Sequence, residues 1–133
     1  MSSDGGETFD ATNLPEWKGF KPSPEIIDPP VVQGSLWRMT DNGKNPLVVY
    51  CGPDDHGPSG GGRKDLRLRY SSDDTKDWRD GPLVHEGPAA YSDLAEVRPG
   101  LGELGILFEA GDKGAKSYTR IDFTVLRPYE ASK

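Results

Sequence analysis

The chain has 133 residues, the length of one ordinary domain, and a formal net charge of −6 from 16 basic and 22 acidic residues. An acidic chain without a basic tract argues against a nucleic-acid partner. Its overall field would also not attract an anionic ligand, so any anion site has to be built from individual arginines.

The single cysteine and the polar start of the chain limit the options further. Cys51 has no possible partner within the chain, which excludes an internal disulfide and a cysteine-based zinc site. Its flanks, LVVYC, predict a strand with a buried thiol. The first ten residues, MSSDGGETFD, do not resemble a signal peptide, and no apolar run is long enough to span a membrane.

Short apolar or alternating runs between clusters of Gly, Pro and Asp predict an all-β chain folded as an antiparallel meander. The predicted strands are 35–39, 47–51, 66–70, 83–85, 91–97, 104–109 and 117–126. In the last of these, Ile121, Phe123 and Val125 alternate with polar residues, so this strand has one apolar face. No segment shows a sustained helical period.

Two segments share a Ser-x-Asp start and an aromatic residue at position eight: SSDGGETF at 2–9 and SSDDTKDW at 71–78. In such a turn the Asp carboxylate accepts backbone N–H groups, and a Gly at position five supplies a positive φ. Both segments resemble the Asp-box of sialidases, the first fully and the second in degenerate form. The resemblance implies a structural turn between the third and fourth strands of a propeller blade.

Residues 87–109, GPAAYSDLAEVRPGLGELGILFE, are similar to the nucleophile region of exo-α-sialidases, in which AAYSDL is followed by a turn and a strand ending in Leu-Phe-Glu. The resemblance implies that residues 1–133 are the C-terminal portion of a sialidase-type six-bladed β-propeller with four-stranded antiparallel blades. The predicted strands amount to about two blades, which cannot close a propeller alone. The expected partners are therefore the N-terminal part of the propeller or another copy of the chain.

The resemblance assigns the role of nucleophile to Tyr91. Sialic acid carries a carboxylate on its anomeric carbon, which would repel a carboxylate nucleophile but not a neutral phenol. A phenol has a pKa of about 10 and needs a neighbouring base to attack. The alternative for Tyr91 is an aromatic residue packed in a sheet. Ser92 and Asp93, which follow it, are expected only to shape or support this segment.

Two further site residues follow from the resemblance. Arg63 is expected to grip the substrate carboxylate, a task that suits the bidentate and permanently charged guanidinium group. Arg67 and Arg69 alternate with leucines and are expected on a solvated strand face. Glu109 is expected to orient one of the arginines that bind the substrate. Its alternative is an ordinary glutamate at the end of a strand.

No metal or cofactor is expected, because His56 and His85 lack metal-like spacing and no run fits an EF-hand loop. Two functions remain open at this point. The first is a retaining exo-α-sialidase that acts on sialylated glycans or glycolipids. The second is a non-catalytic sialic-acid-binding or structural module derived from a propeller. The resemblance places the acid/base Asp, the Glu that activates Tyr91 and the other two arginines before residue 2.

Overall fold

The computed structural model describes Glu7 and residues 26–40, 47–54 and 62–128. These residues form one six-stranded antiparallel sheet that curls into a half-barrel, and the order of the strands across the sheet follows their order along the chain. The predicted all-β meander is confirmed. The strands are β1 (Ser35–Arg38), β2 (Val48–Pro53), β3 (Lys64–Ser71), β4 (Arg79–Arg98), β5 (Glu103–Ala110) and β6 (Arg120–Leu126).

Strand β4 is 20 residues long and joins two of the predicted strands, 83–85 and 91–97. The sequence predicted them as separate strands, and this prediction was wrong. Gly87 adopts a φ of +93°, and its N–H donates to the side chain of Asp65 on β3, at 2.8 Å from Oδ1. The strand passes through this point by changing its partner. Its first half pairs with β3 and its second half pairs with β5.

The core lies inside the curl, between one face of β2 and β3 and one face of β4 and β5. Its buried members include Val49, Cys51, Leu66, Leu68, Tyr70, Leu94, Leu104, Ile106 and Phe108. Burying one such leucine or isoleucine side chain contributes roughly 1.5–3 kcal/mol. The Ser92 hydroxyl donates to the Cys51 carbonyl at 3.0 Å and lies 3.0 Å from the Ser35 hydroxyl, so it links β4 to β1 and β2.

The predicted burial of the Cys51 thiol is confirmed. Because burial disfavours the thiolate, it raises the pKa of Cys51 to about 12, and the hydrogen bond to Ser92 offsets only part of this effect. A thiol with such a pKa stays protonated and unreactive near neutral pH.

The turn at 71–78 joins β3 to β4 and has the hydrogen bonds predicted for it. Asp73 Oδ1 accepts the Asp77 N–H at 3.0 Å and the Ser71 hydroxyl at 2.9 Å, and these two bonds lower the pKa of Asp73. The residue at position five is Thr75, which adopts the positive φ, 68°, that Gly would provide. Apart from Glu7, the first copy at 2–9 lies outside the described residues.

Candidate functional site

The outward direction of Tyr91 is set by a bulge in β4. Ala89 pairs with Ala110 and Ser92 pairs with Phe108, so β4 has one residue more than β5 in this interval. Ala89 and Ala90 are consecutive and both fully buried, so the alternation of buried and exposed residues along β4 is broken at this pair. Because a bulge re-aims the side chains that follow it, Tyr91 emerges 44% exposed while Ser92 is buried.

Arg63 and Glu109 both lie against Tyr91. The guanidinium carbon of Arg63 is 5.5 Å from the centroid of the Tyr91 ring, a cation–π geometry. Glu109 stands opposite the bulge, and its Oε2 atom accepts the Tyr91 backbone N–H at 3.4 Å. The structure therefore brings the three residues predicted for the site together around one aromatic ring.

Two hydrogen bonds fix the position of Arg63. Its carbonyl oxygen accepts the Ala89 N–H at 2.9 Å, which joins the start of β3 to the bulge in β4. Its Nη2 atom donates to the carbonyl of Val31 at 3.1 Å. Among the described residues, no carboxylate accepts the remaining guanidinium N–H groups.

A shallow pocket of about 270 Å³ lies beside Tyr91 on the face of β4, β5 and β6 that points away from the core. The lining combines two carboxylates, from β4 and β5, with apolar side chains from β5 and β6; Asp93 pairs with Leu107, and Glu109 pairs with Ile121. The lining residues are Gln33, Tyr91, Ser92, Asp93, Leu107, Phe108, Glu109 and Ile121. Such a mixed lining suits a small polar ligand that also has an apolar part.

Arg67 and Arg69 lie on one strand face as predicted, but the prediction that this face is solvated was wrong. Arg69 is only 6% exposed, and it bonds Asp54 at 2.8 Å, Asp80 at 3.2 Å and the Ile26 carbonyl at 2.9 Å. Arg67 bonds the other oxygen of Asp54 at 3.0 Å. These acceptors cover this face of β3 and neutralise the charges of Arg67 and Arg69. Arg63 is the arginine that lies beside the Tyr91 ring.

The described residues do not complete a catalytic group around Tyr91. Within residues 62–128 and the other described segments, the Tyr91 hydroxyl has no hydrogen-bond partner and Glu109 has no arginine partner. The role of Glu109 in orienting an arginine stays a prediction. No group of three or more His, Cys, Asp or Glu residues suited to a metal occurs in the described part of the chain.

Neither histidine forms part of the site. His85 packs its ring 5.9 Å from that of Phe108, and its Nε2 atom lies 3.2 Å from the Gly111 carbonyl. These are structural contacts. His56 lies outside the described residues.

Sequence reasoning missed several residues that line the pocket, above all Gln33, Leu107 and Ile121. The alternation of Ile121, Phe123 and Val125 was visible, but it did not show which way this face points. In the structure it points away from the core, and Ile121 is 70% exposed. The direction follows from the register, because Glu109 and Leu107 of β5 pair with Ile121 and Phe123 of β6.

No protein-family model matches this chain, and no curated protein matches it. The sialidase resemblance therefore depends on the motifs at 2–9, 71–78 and 87–109. Among the described residues, no helix has both the length and the apolar character needed to cross a bilayer.

Proposed function

We propose that this chain is the C-terminal part of a retaining exo-α-sialidase, with Tyr91 as the nucleophile. The observation that carries the proposal is that Arg63 and Glu109 both lie against Tyr91, and that Tyr91 and Glu109 line an open pocket. The family motif nominated all three residues. Tyr91 and Glu109 lie on the paired strands β4 and β5, and Arg63, at the start of β3, is tied to the bulge through the Ala89 N–H.

Arg63 and Tyr91 have separate tasks in this reaction, and Glu109 orients an arginine that binds the substrate. Arg63 binds the carboxylate of a terminal sialic acid through its open N–H groups. The Tyr91 oxygen attacks the anomeric carbon, the bond to the leaving sugar breaks, and the leaving oxygen takes a proton from an acid. Water then displaces Tyr91 from the glycosyl–enzyme intermediate, which restores the original anomeric configuration. The base for Tyr91 and the acid come from outside the described residues.

The arrangement of the strands is compatible with parts of two successive propeller blades. β1, β2, β3 and the first half of β4 are four consecutive antiparallel strands, with the Asp-box-like turn between the third and the fourth. The second half of β4 then begins the group formed with β5 and β6. It lies next to β1, to which the Ser35–Ser92 contact links it, and the N–H of Thr40, two residues after the end of β1, donates to Glu96.

A second candidate function is sialic-acid binding without catalysis. It is favoured by one observation, that Tyr91 has no base within the described part of the chain while Arg63 is available to an anion. A binding module needs the arginine and the pocket but not an activated phenol. The two functions therefore make different predictions for Tyr91 and the same prediction for Arg63.

Because the resemblance places the acid, the base for Tyr91 and two arginines before residue 2, the test is hydrolysis of a fluorogenic aryl α-sialoside by this chain combined with the N-terminal part of the propeller. We expect turnover with retention, followed by NMR of the first-formed sialic acid. The Tyr91→Phe variant removes the attacking oxygen and is expected to lower kcat on the order of 10³-fold or more. Tyr118→Phe is the matched control, because Tyr118 is also exposed and lies beside a cation, Lys116, at 5.8 Å.

Arg63→Lys is expected to weaken substrate binding, because a lysine cannot form the bidentate contact. Arg79→Lys, at an exposed arginine on β4, serves as its control. Inversion at the anomeric carbon would rule out Tyr91 as the nucleophile. Absence of turnover with sialic-acid binding that depends on Arg63 would establish the binding module. Absence of both activities would contradict both proposals.

A further inference from the structure

Gln33 is a polar residue of the Tyr91 pocket that has no role in the reaction as described so far. Its side chain lines the pocket from the segment before β1, whereas the two carboxylates of the lining come from β4 and β5. Among the described residues, the Gln33 amide forms no hydrogen bond. A carboxylate only accepts hydrogen bonds and a guanidinium group only donates them, whereas an amide does both. Gln33 is therefore able to pair with a hydroxyl or an amide group of a ligand in either direction.

The backbone around Gln33 is held on both sides by residues of the site. Before it, the carbonyl of Val31 accepts a hydrogen bond from Arg63 Nη2 at 3.1 Å. After it, the hydroxyl of Ser35 lies 3.0 Å from the hydroxyl of Ser92, which lines the same pocket. These contacts tie the segment 31–35 to the starts of β3 and of the second half of β4.

Close packing against Tyr50 of β2 fixes the same segment at Gly34. Tyr50 is 8% exposed, and a Cβ atom at Gly34 would come within 2.6 Å of the Tyr50 hydroxyl oxygen and 2.7 Å of Cε2. The absence of a side chain at Gly34 is what lets the backbone next to Gln33 approach the ring this closely. A side chain on a fixed backbone loses less freedom when it binds a ligand, so Gln33 is suited to a specific contact.

We infer that Gln33 is a specificity-determining residue whose amide hydrogen-bonds a neutral hydroxyl or amide group of the substrate. The inference rests on the proposed function and deepens it, because Arg63 binds the carboxylate and Tyr91 attacks the anomeric carbon, and neither contacts a neutral group. A sialylated glycan carries such groups on the sialic acid and on the sugar to which the sialic acid is attached. An enzyme discriminates against a substrate that leaves one of its hydrogen-bonding groups unpaired.

The test compares Gln33→Met with the wild-type chain, each combined with the N-terminal part of the propeller. Methionine has a similar length but no amide, so we expect kcat/KM to fall about 2- to 10-fold, as for the loss of one neutral hydrogen bond. The fall is expected as a rise in KM with kcat unchanged, which a disturbed fold would not produce. Gln33→Asn retains the amide and is expected to recover part of the loss. Leu36→Met is the matched control, since Leu36 of β1 is exposed but does not line the pocket.

Two substrates distinguish the two sources of the neutral group. An aryl α-sialoside carries only the polar groups of the sialic acid, whereas sialyllactose also carries the hydroxyl groups of a second sugar. A loss with the aryl α-sialoside assigns the contact to the sialic acid, and a loss with sialyllactose alone assigns it to the second sugar. If the wild type binds sialosides without turnover, the dissociation constant replaces KM in the same comparison.

The outcome that overturns the inference differs from the one that overturns the proposed function. Gln33→Met with an unchanged KM for both substrates, or with a fall in kcat alone, would overturn the role of Gln33. The effects of Tyr91→Phe and Arg63→Lys would still stand in that case, and with them the proposed function. A wild-type protein that neither hydrolyses nor binds a sialoside would contradict the proposed function, and the role of Gln33 would fall with it.

Discussion

The two halves of the sheet differ on the side that points away from the core. On β2 and β3, Tyr50 and Arg69 occupy this side, and Asp54, Asp80 and the Ile26 carbonyl close it. All six residues of β2 are buried. On β4, β5 and β6 the same side is bare, apolar and next to the candidate site. Among the described residues, the first half of the sheet is thus covered on this side, whereas the second half leaves it exposed.

The most direct test of this contrast compares two isoleucines, one that faces the core and one on the exposed side of the sheet. Ile106 of β5 is fully buried, whereas Ile121 of β6 is 70% exposed. Ile106→Ala is expected to lower the free energy of unfolding by about 2–5 kcal/mol, because it leaves a cavity in the core. Ile121→Ala is expected to change it by less than about 0.5 kcal/mol in the monomer.

Urea unfolding at a concentration where the chain is monomeric measures both values. Equal losses in the two variants would mean that the chain itself covers the side of β6 that carries Ile121. That result would remove the contrast between the two halves.

A smaller loss of stability is expected at the ion pairs that cover the first half of the sheet. Asp54→Asn removes the carboxylate shared by Arg67 and Arg69, and leaves the buried Arg69 with the exposed Asp80. We expect a loss of about 1–3 kcal/mol in the free energy of unfolding.

The matched control for Asp54→Asn is Asp112→Asn on the second half. Asp112 pairs with Arg120 at the surface, and both groups are solvated. Losing such a pair is expected to cost less than about 1 kcal/mol. If urea unfolding gave the two variants the same free energy of unfolding, the ion pairs around Arg69 would not stabilise the first half more than a surface ion pair does.

The sequence predicted the strands well, except where two of them join. Period-2 alternation and Gly/Pro clusters locate strands, because they reflect burial and turn geometry within a few residues. At Gly87 the backbone N–H of β4 donates to Asp65 Oδ1 of β3, and Asp65 lies 22 residues away in the chain. No local pattern contains that contact, so residues 83–85 and 91–97 were predicted as separate strands.

The candidate site shows the same limit. A family motif nominated Tyr91, Arg63 and Glu109, but the bulge that turns Tyr91 outward and the register that places Glu109 beside it are pairwise properties of β4 and β5. The face of β6 was visible in the sequence, whereas its direction depends on pairing with β5. For Arg69, alternation with leucines predicted the strand face but not the acceptors that bury it.

The smallest predicted effect concerns the turn that links β3 to β4. Thr75 adopts a φ of 68°, which a β-branched residue tolerates poorly. Thr75→Gly is expected to raise the free energy of unfolding by about 1 kcal/mol, because glycine adopts this region without strain. Thermal unfolding measures the change. Thr124→Gly, in the extended backbone of β6, is the control and is expected to be destabilising. Destabilisation by Thr75→Gly would show that the threonine side chain matters more than its backbone strain.

The nearest-neighbour order of the six strands has a consequence for how the chain is made. Each strand pairs with the one synthesised just before it, so the sheet can grow hairpin by hairpin as it leaves the ribosome, without waiting for a distant segment. β4 is the exception in timing, because its second half has no strand partner until β5 appears. During that interval neither edge of the segment around Tyr91 is paired with a strand. This is the moment at which a nascent chain is most exposed to aggregation.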